Sequence, residues 1–213
     1  MDDTATQDPK EHWEQRYRER EQIWSGRVNA RLAEVVTPLT PGDALDLGCG
    51  EGGDAVWLAE RGWRVVAVDI SDTALGRAAA AATERGVADR IDFRQCDLSQ
   101  GFPAGTFDLV SAQFLHSTVP LDRPRVLSHA AAAVRPGGTL LIVDHGAPPP
   151  GASQLGHTHH FPPADEVLDS LALADSEWKR VRVEAAERQA VGPDGQVGTW
   201  IDNVMVLRRH AAS

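Results

Sequence analysis

The chain has 213 residues, of which 42% are hydrophobic and 24% are charged, and this balance suits one α/β domain with a substantial core. Its formal net charge of -10 repels a phosphate backbone, so nucleic acid is not expected as a partner. No stretch approaches the roughly 20 apolar residues of a membrane span, and no basic segment followed by an apolar one opens the chain. We therefore expect a cytoplasmic protein that acts without a membrane, with Cys49 and Cys96 reduced.

Two helices are predicted at the start of the chain, over residues 9–22 and 29–36. The first lies in the sequence HWEQRYREREQIWSG, where Trp13 and Tyr17 are four residues apart and so share one helix face. Together with Trp24, these rings either form a stripe packed against the core or cover a bound ligand.

Strands that alternate with helices are predicted next, because short apolar runs are separated by segments with apolar residues at helical spacing. The predicted strands cover residues 44–47, 64–68, 91–95, 107–113 and 139–143. This alternation is typical of an α/β fold with a mostly parallel sheet and helices on both faces. The fold class expected is therefore Rossmann-like and doubly wound.

The pattern changes after Val143, where HGAPPPGASQLGHTHHFPP predicts a long His- and Pro-rich loop over residues 146–163. A short helix over 164–171 follows, and then two strands over 178–187 and 199–207 joined by a turn at GPDGQ. With the five strands before them, these two bring the number of predicted strands to seven.

A glycine-rich turn, DLGCGEGG, links the first predicted strand to the helix that follows it. Gly48, Gly50 and Gly53 have the spacing of a dinucleotide site, and Asp69 stands where an NAD-binding acid would, which favours an NAD-dependent oxidoreductase. Asp46 opposes that interpretation, because a carboxylate ahead of the turn would meet the pyrophosphate at low dielectric. A cationic cofactor without phosphate, such as S-adenosylmethionine, suits Asp46 better.

From residue 41 to residue 145, the ordered set of motifs resembles class I S-adenosylmethionine-dependent methyltransferases. The set comprises DLGCG after the first strand, Asp69 after the second, QCDL after the third and VRPGGTLLIV leading into the fifth. The resemblance implies S-adenosylmethionine as the cofactor. Its implied contacts are Asp46, Gly48, Cys49 and Gly50 at the methionine part, Asp69 and Ile70 at the ribose, Asp97 and Leu98 at the adenine, and Gln113 near the transferable methyl group.

The N-terminal W…Y…W pattern looks like the opening of the tellurite-resistance and thiopurine-type branch, in which this segment folds over the cofactor as a lid. Trp13, Tyr17 and Trp24 would then close over the sulfonium, whose positive charge is attracted to aromatic faces. One domain over residues 1–213 is expected. Its parts are a helical lid (1–40), a cofactor-binding core (41–145), the His/Pro-rich loop (146–163), and a C-terminal helix with antiparallel strands (164–213).

Methyl transfer requires a nucleophile held in line with the breaking bond, and a thiol or hydroxyl acceptor also needs a base for its proton. His116 and His145 follow the fourth and fifth strands, where ligands bind in such folds, so these two are the catalytic candidates. Transfer without any base stays open as an alternative. The acceptor is expected to be a small molecule with a sulfur, nitrogen, oxygen or metalloid nucleophile.

The HTHH run raises a further alternative, since His157, His159 and His160 with His145 have imidazoles that suit a transition-metal ion. No ordered set of carboxylates or cysteines accompanies them, so no metal site is assigned. A non-catalytic protein that binds S-adenosylmethionine, or a metal through this loop, remains the third hypothesis.

Overall fold

The computed structural model describes residues 8–148, 161–191 and 197–212. Its helices are α1 (Pro9–Arg18), α2 (Ala30–Val36), α3 (Gly53–Glu60), α4 (Asp72–Glu84), α5 (Arg123–Ala132) and α6 (Ala164–Ser170). Its strands are β1 (Asp43–Leu47), β2 (Arg64–Asp69), β3 (Ile91–Gln95), β4 (Phe107–Gln113), β5 (Val134–His145), β6 (Trp178–Val191) and β7 (Val197–Arg209). Within these ranges no helix is long and apolar enough to cross a bilayer.

The strands form one seven-stranded sheet in the order β3-β2-β1-β4-β5-β7-β6. The first five strands are parallel to one another, and β7 lies antiparallel to both β5 and β6. The predicted Rossmann-like sheet with an antiparallel C-terminal strand is therefore confirmed. Parallel strands bring their carboxyl ends to one edge, which is where this fold places its ligands.

Several predicted bounds are wrong at the ends of elements. Helix α1 ends at Arg18 instead of residue 22, because Arg77 donates hydrogen bonds to the carbonyl oxygens of Tyr17 and Arg20 and fixes a bend there. Strand β5 begins at Val134 instead of residue 139, since the backbone already pairs with β4 before the Pro-Gly-Gly turn.

The C-terminal hairpin is longer than the apolar pattern indicated. Its pairing runs from Trp178 with Arg209 to Val191 with Val197, so the strands extend past the predicted 178–187 and 199–207. A register shift lies between Arg180 and Arg182, where one extra residue bends the outer strand. The full length of β6 could not be predicted from its sequence, because its outer face is polar and the hydrophobic alternation weakens where a strand lies at the edge of a sheet.

Two apolar layers cover the sheet, one on each face, as the alternation predicted. Leu32 of α2, Leu58 of α3 and Ala82 of α4 belong to one layer. Val126 of α5 and Val167 of α6 belong to the other. This packing fixes the sheet between the helices and leaves its carboxyl edge to form the site.

Strand alternation decides which polar side chains face each layer at that edge. Leu141 and Val143 pack in the layer of α2 and α3, so His145 faces the same side. Asp202 lies opposite His145 in the antiparallel register and shares its face. Asp144 faces the other side, toward α5.

Candidate active site

The turn after β1 is held in a conformation that glycine adopts at low cost. Gly48, Gly50 and Gly52 have φ angles of +69°, +53° and +84°. The backbone N–H of Cys49 donates to the carbonyl oxygen of Val68 at 2.9 Å and ties the turn to β2. The turn therefore presents its backbone between the carboxyl ends of β1 and β2.

Asp69, the last residue of β2, fixes the far side of this turn. Its Oδ2 accepts a hydrogen bond from Gly50 N at 2.8 Å, and its Oδ1 accepts one from Ser71 N at 3.0 Å. Burial raises the pKa of Asp69, while the hydrogen bonds from Ser71 and Gly50 act in the opposite direction. The carboxylate keeps lone pairs that can accept from ribose hydroxyls. Ile70 follows it, and its carbonyl oxygen accepts from Gln95 Nε2 at 3.2 Å.

Asp46 is 2% exposed, and its Oδ2 has no hydrogen-bond partner within the described part of the chain. Burial raises its pKa well above the usual range, and the charges of Asp54 and Asp69 raise it further. Burial also raises the pKa of Asp54 to about 6. A buried carboxylate without a partner is costly, and a cationic group placed against it removes that cost.

Cys49 lies near these acids, and its thiol is unreactive as a nucleophile. Burial raises the pKa of its thiol well above the usual range, and the charges of Asp69 and Asp46 raise it further. Since the thiolate is the nucleophilic form of cysteine, this side chain contributes surface to the pocket and no covalent chemistry.

The N-terminal segment lies directly on the glycine turn. Tyr17 is 3% exposed, and its hydroxyl oxygen accepts a hydrogen bond from Trp24 Nε1 at 3.0 Å. A Cβ atom added to Gly50 would lie 3.1 Å from both Tyr17 Oη and Trp24 Nε1. Trp13 reaches the loop after β4, where its Nε1 donates to Ser117 Oγ at 3.3 Å. The three rings are therefore spread along the carboxyl edge.

Two residues that the sequence analysis missed hold this segment in place, and we call Glu51 and Arg77 the lid clasp. Glu51, in the glycine turn, accepts from Trp24 N at 2.8 Å and pairs with Arg77 Nη1 at 2.7 Å. Arg77 Nη2 donates to the carbonyl oxygens of Tyr17 at 2.8 Å and Arg20 at 2.7 Å. The sequence pattern does not indicate these contacts, because each one joins residues that are far apart in the chain.

The two residues expected at the adenine lie in different surroundings. Asp97 borders an open cavity of about 590 Å³ between α1, the segment after β3 and the segment before α5. Its Oδ1 accepts from Ser99 N at 2.8 Å and so shapes the turn after β3. Leu98 packs into the core layer of α5 and α6.

The turn after β4 is strained. Phe114 has a φ of +49°, an uncommon conformation for a bulky residue and one that is frequent at functional sites. Gln113, just before it, donates from Nε2 to Ser111 Oγ at 3.0 Å. Gln113 Oε1 is buried without a hydrogen-bond partner among the described residues. The strained turn brings His116 back toward β5, since His116 N donates to Phe114 O at 2.7 Å.

His116 faces a buried carboxylate. Its Nε2 lies 3.5 Å from Oδ1 of Asp144, which is fully buried. Arg123 Nη2 contacts both oxygens of Asp144 at 2.5 Å, and Arg123 Nε donates to Leu115 O at 3.1 Å. Burial raises the pKa of Asp144, and the charge of Arg123 opposes that rise. The sequence analysis did not select Asp144 or Arg123, whose pairing depends on the packing of α5 against β5.

His145 stacks on Phe114 with ring centroids 4.4 Å apart, and its ring is 5.7 Å from that of His116. Partial burial, together with the nearby His116, lowers the pKa of His145 to about 4. Its imidazole is therefore neutral at pH 7. Of the two candidate bases, His116 has the carboxylate partner and His145 has the apolar surroundings.

The metal hypothesis rests mainly on His157, His159 and His160, which lie outside the described residues. Across the ranges that the structure describes, no group of three or more His, Cys, Asp or Glu side chains could hold a metal ion.

The sheet order, the glycine turn after β1 and the acid that ends β2 define a Rossmann-like methyltransferase fold. Residues 44–138 match the family model described as "Methyltransferase domain". This segment is thus similar to a methyltransferase domain, in agreement with the motifs that it contains.

Two curated relatives are named as methyltransferases. "Nocamycin O-methyltransferase" from Saccharothrix syringae is 36% identical over 126 residues, which are 57% of this chain and 44% of that protein. "27-O-demethylrifamycin SV methyltransferase" from Amycolatopsis mediterranei is 38% identical over 122 residues, which are 55% of this chain and 44% of that protein. The chain spans less than half the length of both relatives.

Three solved structures have the same fold. The structure described as "Conversion of a Disulfide Bond into a Thioacetal Group during Echinomycin Biosynthesis" has a TM-score of 0.73 and 24% identity, covering 97% of this chain and 93% of that chain. TehB from Haemophilus influenzae has a TM-score of 0.68 and 15% identity, covering 92% and 66%. Magnesium protoporphyrin IX methyltransferase from Synechocystis PCC 6803, with bound SAH, has a TM-score of 0.69 and 19% identity, covering 95% and 100%. At these identities the likeness concerns the fold alone.

Proposed function

We propose that this protein transfers a methyl group from S-adenosylmethionine to a small-molecule acceptor. The family match over residues 44–138 and the names of the relatives support methyl transfer. The observation that carries the choice of cofactor is the buried Asp46, whose Oδ2 is unpartnered in the described chain and whose neighbours Asp54 and Asp69 add negative charge. A pyrophosphate at this turn would meet that charge, whereas an ammonium or sulfonium is attracted to it.

The residues present fit S-adenosylmethionine. Asp46 would accept from the ammonium group, Asp69 would use its remaining lone pairs for the ribose hydroxyls, and Asp97 would face the adenine amino group. Gly48, Cys49, Gly50 and Ile70 would line the pocket between them, with Leu98 beneath the adenine and Gln113 toward the transferable methyl. When bound, S-adenosylmethionine supplies an electrophilic methyl group on a positively charged sulfur.

The lid would exclude water from the reacting atoms. Tyr17 and Trp24 lie within van der Waals reach of the Gly50 position, and the lid clasp fixes the backbone that carries them. Aromatic faces near a cation are attractive, so Trp13, Tyr17 and Trp24 would stabilise the positively charged donor more than its neutral product. This preference helps release of the product.

His116 is the base that this geometry favours for an acceptor that carries a proton. Nε2 of His116 lies 3.5 Å from Oδ1 of Asp144, a carboxylate that would stabilise the imidazolium formed when the ring takes up the acceptor's proton. Arg123 fixes Asp144, and Asp144 in turn fixes the imidazole. His145 would act as a neutral polar contact to the acceptor, since a pKa of about 4 makes it a weak base.

Calorimetric titration of the purified chain with S-adenosylhomocysteine and, separately, with NADH tests the cofactor. Binding of S-adenosylhomocysteine alone supports the proposal, and binding of NADH alone overturns it in favour of an oxidoreductase. Transfer of label from methyl-labelled S-adenosylmethionine to an acceptor panel then separates an enzyme from a protein that only binds the donor. Asp46→Asn, compared with the exposed Asp92→Asn, shows whether the observed affinity comes from this site.

A further inference from the structure

A group of rings lies beyond the cofactor side of the site, and we call Phe114, His145, Phe161 and Trp200 the ring cluster. The ring of His145 is 4.4 Å from that of Phe114, 6.2 Å from that of Phe161 and 5.8 Å from that of Trp200. All four residues are half-buried, so part of their aromatic surface stays accessible. Rings in a closed core would be covered on all sides, and this arrangement instead forms an open apolar wall at the carboxyl ends of β4 and β5.

Four buried polar atoms border this wall without a hydrogen-bond partner among the described residues. They are Gln113 Oε1, His145 Nδ1, Trp200 Nε1 and Asp202 Oδ1. Native structures leave few such atoms unpaired, and a group of them in one place indicates that another molecule supplies the partners. The indole N–H can only donate, the amide and carboxylate oxygens accept, and a neutral imidazole nitrogen does either. A hydroxyl group, which both donates and accepts, matches this mixed set.

A guanidinium group lies directly against the ring cluster. Arg188 lies with its guanidinium 5.1 Å from the ring centre of Trp200 and 5.8 Å from that of Phe114. Its Nε is 2.7 Å from Asp202 Oδ2, and Arg31 Nε is 3.3 Å from the same oxygen. Arg31 also pairs with Glu34 at 3.3 Å, so Arg188 is the cation that lies against the rings. An acceptor with an ammonium group would be repelled here, whereas a phenolic oxygen that becomes more negative would be stabilised.

We propose that the ring cluster is the acceptor site and that it takes a planar hydroxylated aromatic compound, which is methylated on oxygen. This inference rests on the proposed function and names the substrate class of that site. The rings stack on a flat molecule, the unpaired polar atoms bind its hydroxyl groups, and Arg188 excludes amines. Trp200 and Arg188 are then the residues that decide specificity.

The chemical step follows from the same arrangement. The hydroxyl oxygen forms a bond to the methyl carbon as the bond between that carbon and the donor sulfur breaks. The electron pair of the broken bond stays on sulfur, which becomes a neutral thioether. The hydroxyl proton passes to the imidazole of His116 and from there to solvent, so no oxidant or reductant is needed.

The test offers methyl-labelled S-adenosylmethionine together with 4-nitrocatechol, 8-hydroxyquinoline, 2-mercaptoethanol or ethanolamine as acceptor. We expect O-methylation of the two hydroxyaromatics and at least tenfold lower rates with the thiol and the amine. Trp200→Phe keeps the stacking surface and removes the N–H, and it should raise KM for the hydroxyaromatic about tenfold with kcat within about threefold, as expected for one lost hydrogen bond. Arg188→Gln should raise the relative rate with the amine.

The control is Trp57→Phe. Trp57 belongs to α3 and stacks with Arg61, outside the ring cluster, so its replacement should leave KM and kcat unchanged. Three results would overturn the acceptor proposal in a protein that binds S-adenosylhomocysteine. They are a preference for the amine or thiol, no methylation of either hydroxyaromatic, and an unchanged KM after Trp200→Phe. Failure to bind S-adenosylhomocysteine would instead overturn the proposed function. The two failures are therefore distinguishable in one experiment.

Discussion

Arg77 Nη1 lies 2.7 Å from Oε1 of Glu51, and this pair joins the glycine turn to the segment that covers it. Glu51 follows Gly50 in the chain. The ion pair with Arg77 would therefore hold both the turn on which a ligand lies and the N-terminal segment above that turn. Arg77 also accounts for the end of α1, because it occupies the carbonyl oxygens at the helix terminus. We therefore propose that the position of the N-terminal segment and cofactor binding are coupled through this ion pair.

Removal of this coupling should weaken cofactor binding more than it slows the chemical step. Arg77→Gln loses the charge that faces Glu51 and two carbonyl contacts, so we expect KM for S-adenosylmethionine to rise about tenfold with a smaller change in kcat. Limited trypsin cleavage within residues 8–27 should also become faster, because the segment is released.

Arg85→Gln is the matched control, since Arg85 follows the end of the same helix and pairs with Glu60 at 3.0 Å on the surface. It should leave both KM and the cleavage rate unchanged. An Arg77→Gln protein that keeps the wild-type KM and resists trypsin would show that the lid is held by other contacts.

The buried acids predict how cofactor affinity varies with pH. The pKa of Asp46 is raised well above its usual range and that of Asp54 to about 6, so acidification protonates these groups and removes the charge that attracts an ammonium. Affinity for S-adenosylhomocysteine, measured by calorimetry, should therefore fall as the pH decreases from about 7.5 to about 5.

Asp46→Asn should weaken this binding by roughly tenfold or more at pH 7.5, because a charged hydrogen bond contributes about 1.5–3 kcal/mol. The variant should also show a shallower pH dependence than the wild type. Equal pH dependence in the two proteins would mean that other groups control the affinity.

The lowered pKa of His145 predicts that the free energy of unfolding decreases as the pH falls. Its pKa is lowered to about 4 in the folded protein from the 6.5 of an exposed histidine, so between these values the unfolded chain binds a proton that the folded chain does not. The free energy of unfolding therefore includes the full contribution of His145 above about pH 6.5 and loses it as the pH falls toward 4. Urea unfolding at several pH values should show a smaller decrease for His145→Phe than for the wild type.

Titration of the imidazole proton by NMR gives a direct check. A midpoint near 4 for His145 agrees with the apolar contact to Phe114. A midpoint near 6.5 would mean that the ring is solvated and not stacked.

The pairing of His116 with Asp144 predicts which variants slow the reaction. His116→Gln should lower kcat about 10²- to 10⁴-fold if proton removal is part of the chemical step, with S-adenosylhomocysteine affinity unchanged. Asp144→Asn should lower kcat to a lesser degree, because Asp144 positions the imidazole and does not touch the acceptor. His129→Gln, on the surface of α5, serves as the control.

Retention of the full rate in His116→Gln would show that the reaction proceeds by proximity alone. In that case an acceptor that is already ionised at pH 7 should be preferred, which the rate as a function of acceptor pKa measures.

Local sequence was sufficient to predict the core of the fold and the positions of the glycine turn and its neighbouring acids. The order of strands and helices follows from apolar periodicity, and the glycine turn, Asp46 and Asp69 lie at strand ends that the same periodicity marks. These features can be predicted because each depends on residues that are close together in the chain. The ends of α1 and of the C-terminal hairpin could not be placed, because Arg77 and the pairing along the sheet edge determine them.

Only the tertiary structure decided which side chains meet across elements. Asp144 and Arg123 are 21 residues apart, Glu51 and Arg77 are 26 apart, and Arg31 and Asp202 are 171 apart. Their contacts depend on helix packing and on the register that sets Asp202 beside His145, and a shift of one residue would turn these groups to the other face. The sequence by itself thus determined a glycine turn beside a buried acid, and the packed sheet determined the contacts of the lid clasp, the approach of His116 to Asp144 and the ring cluster.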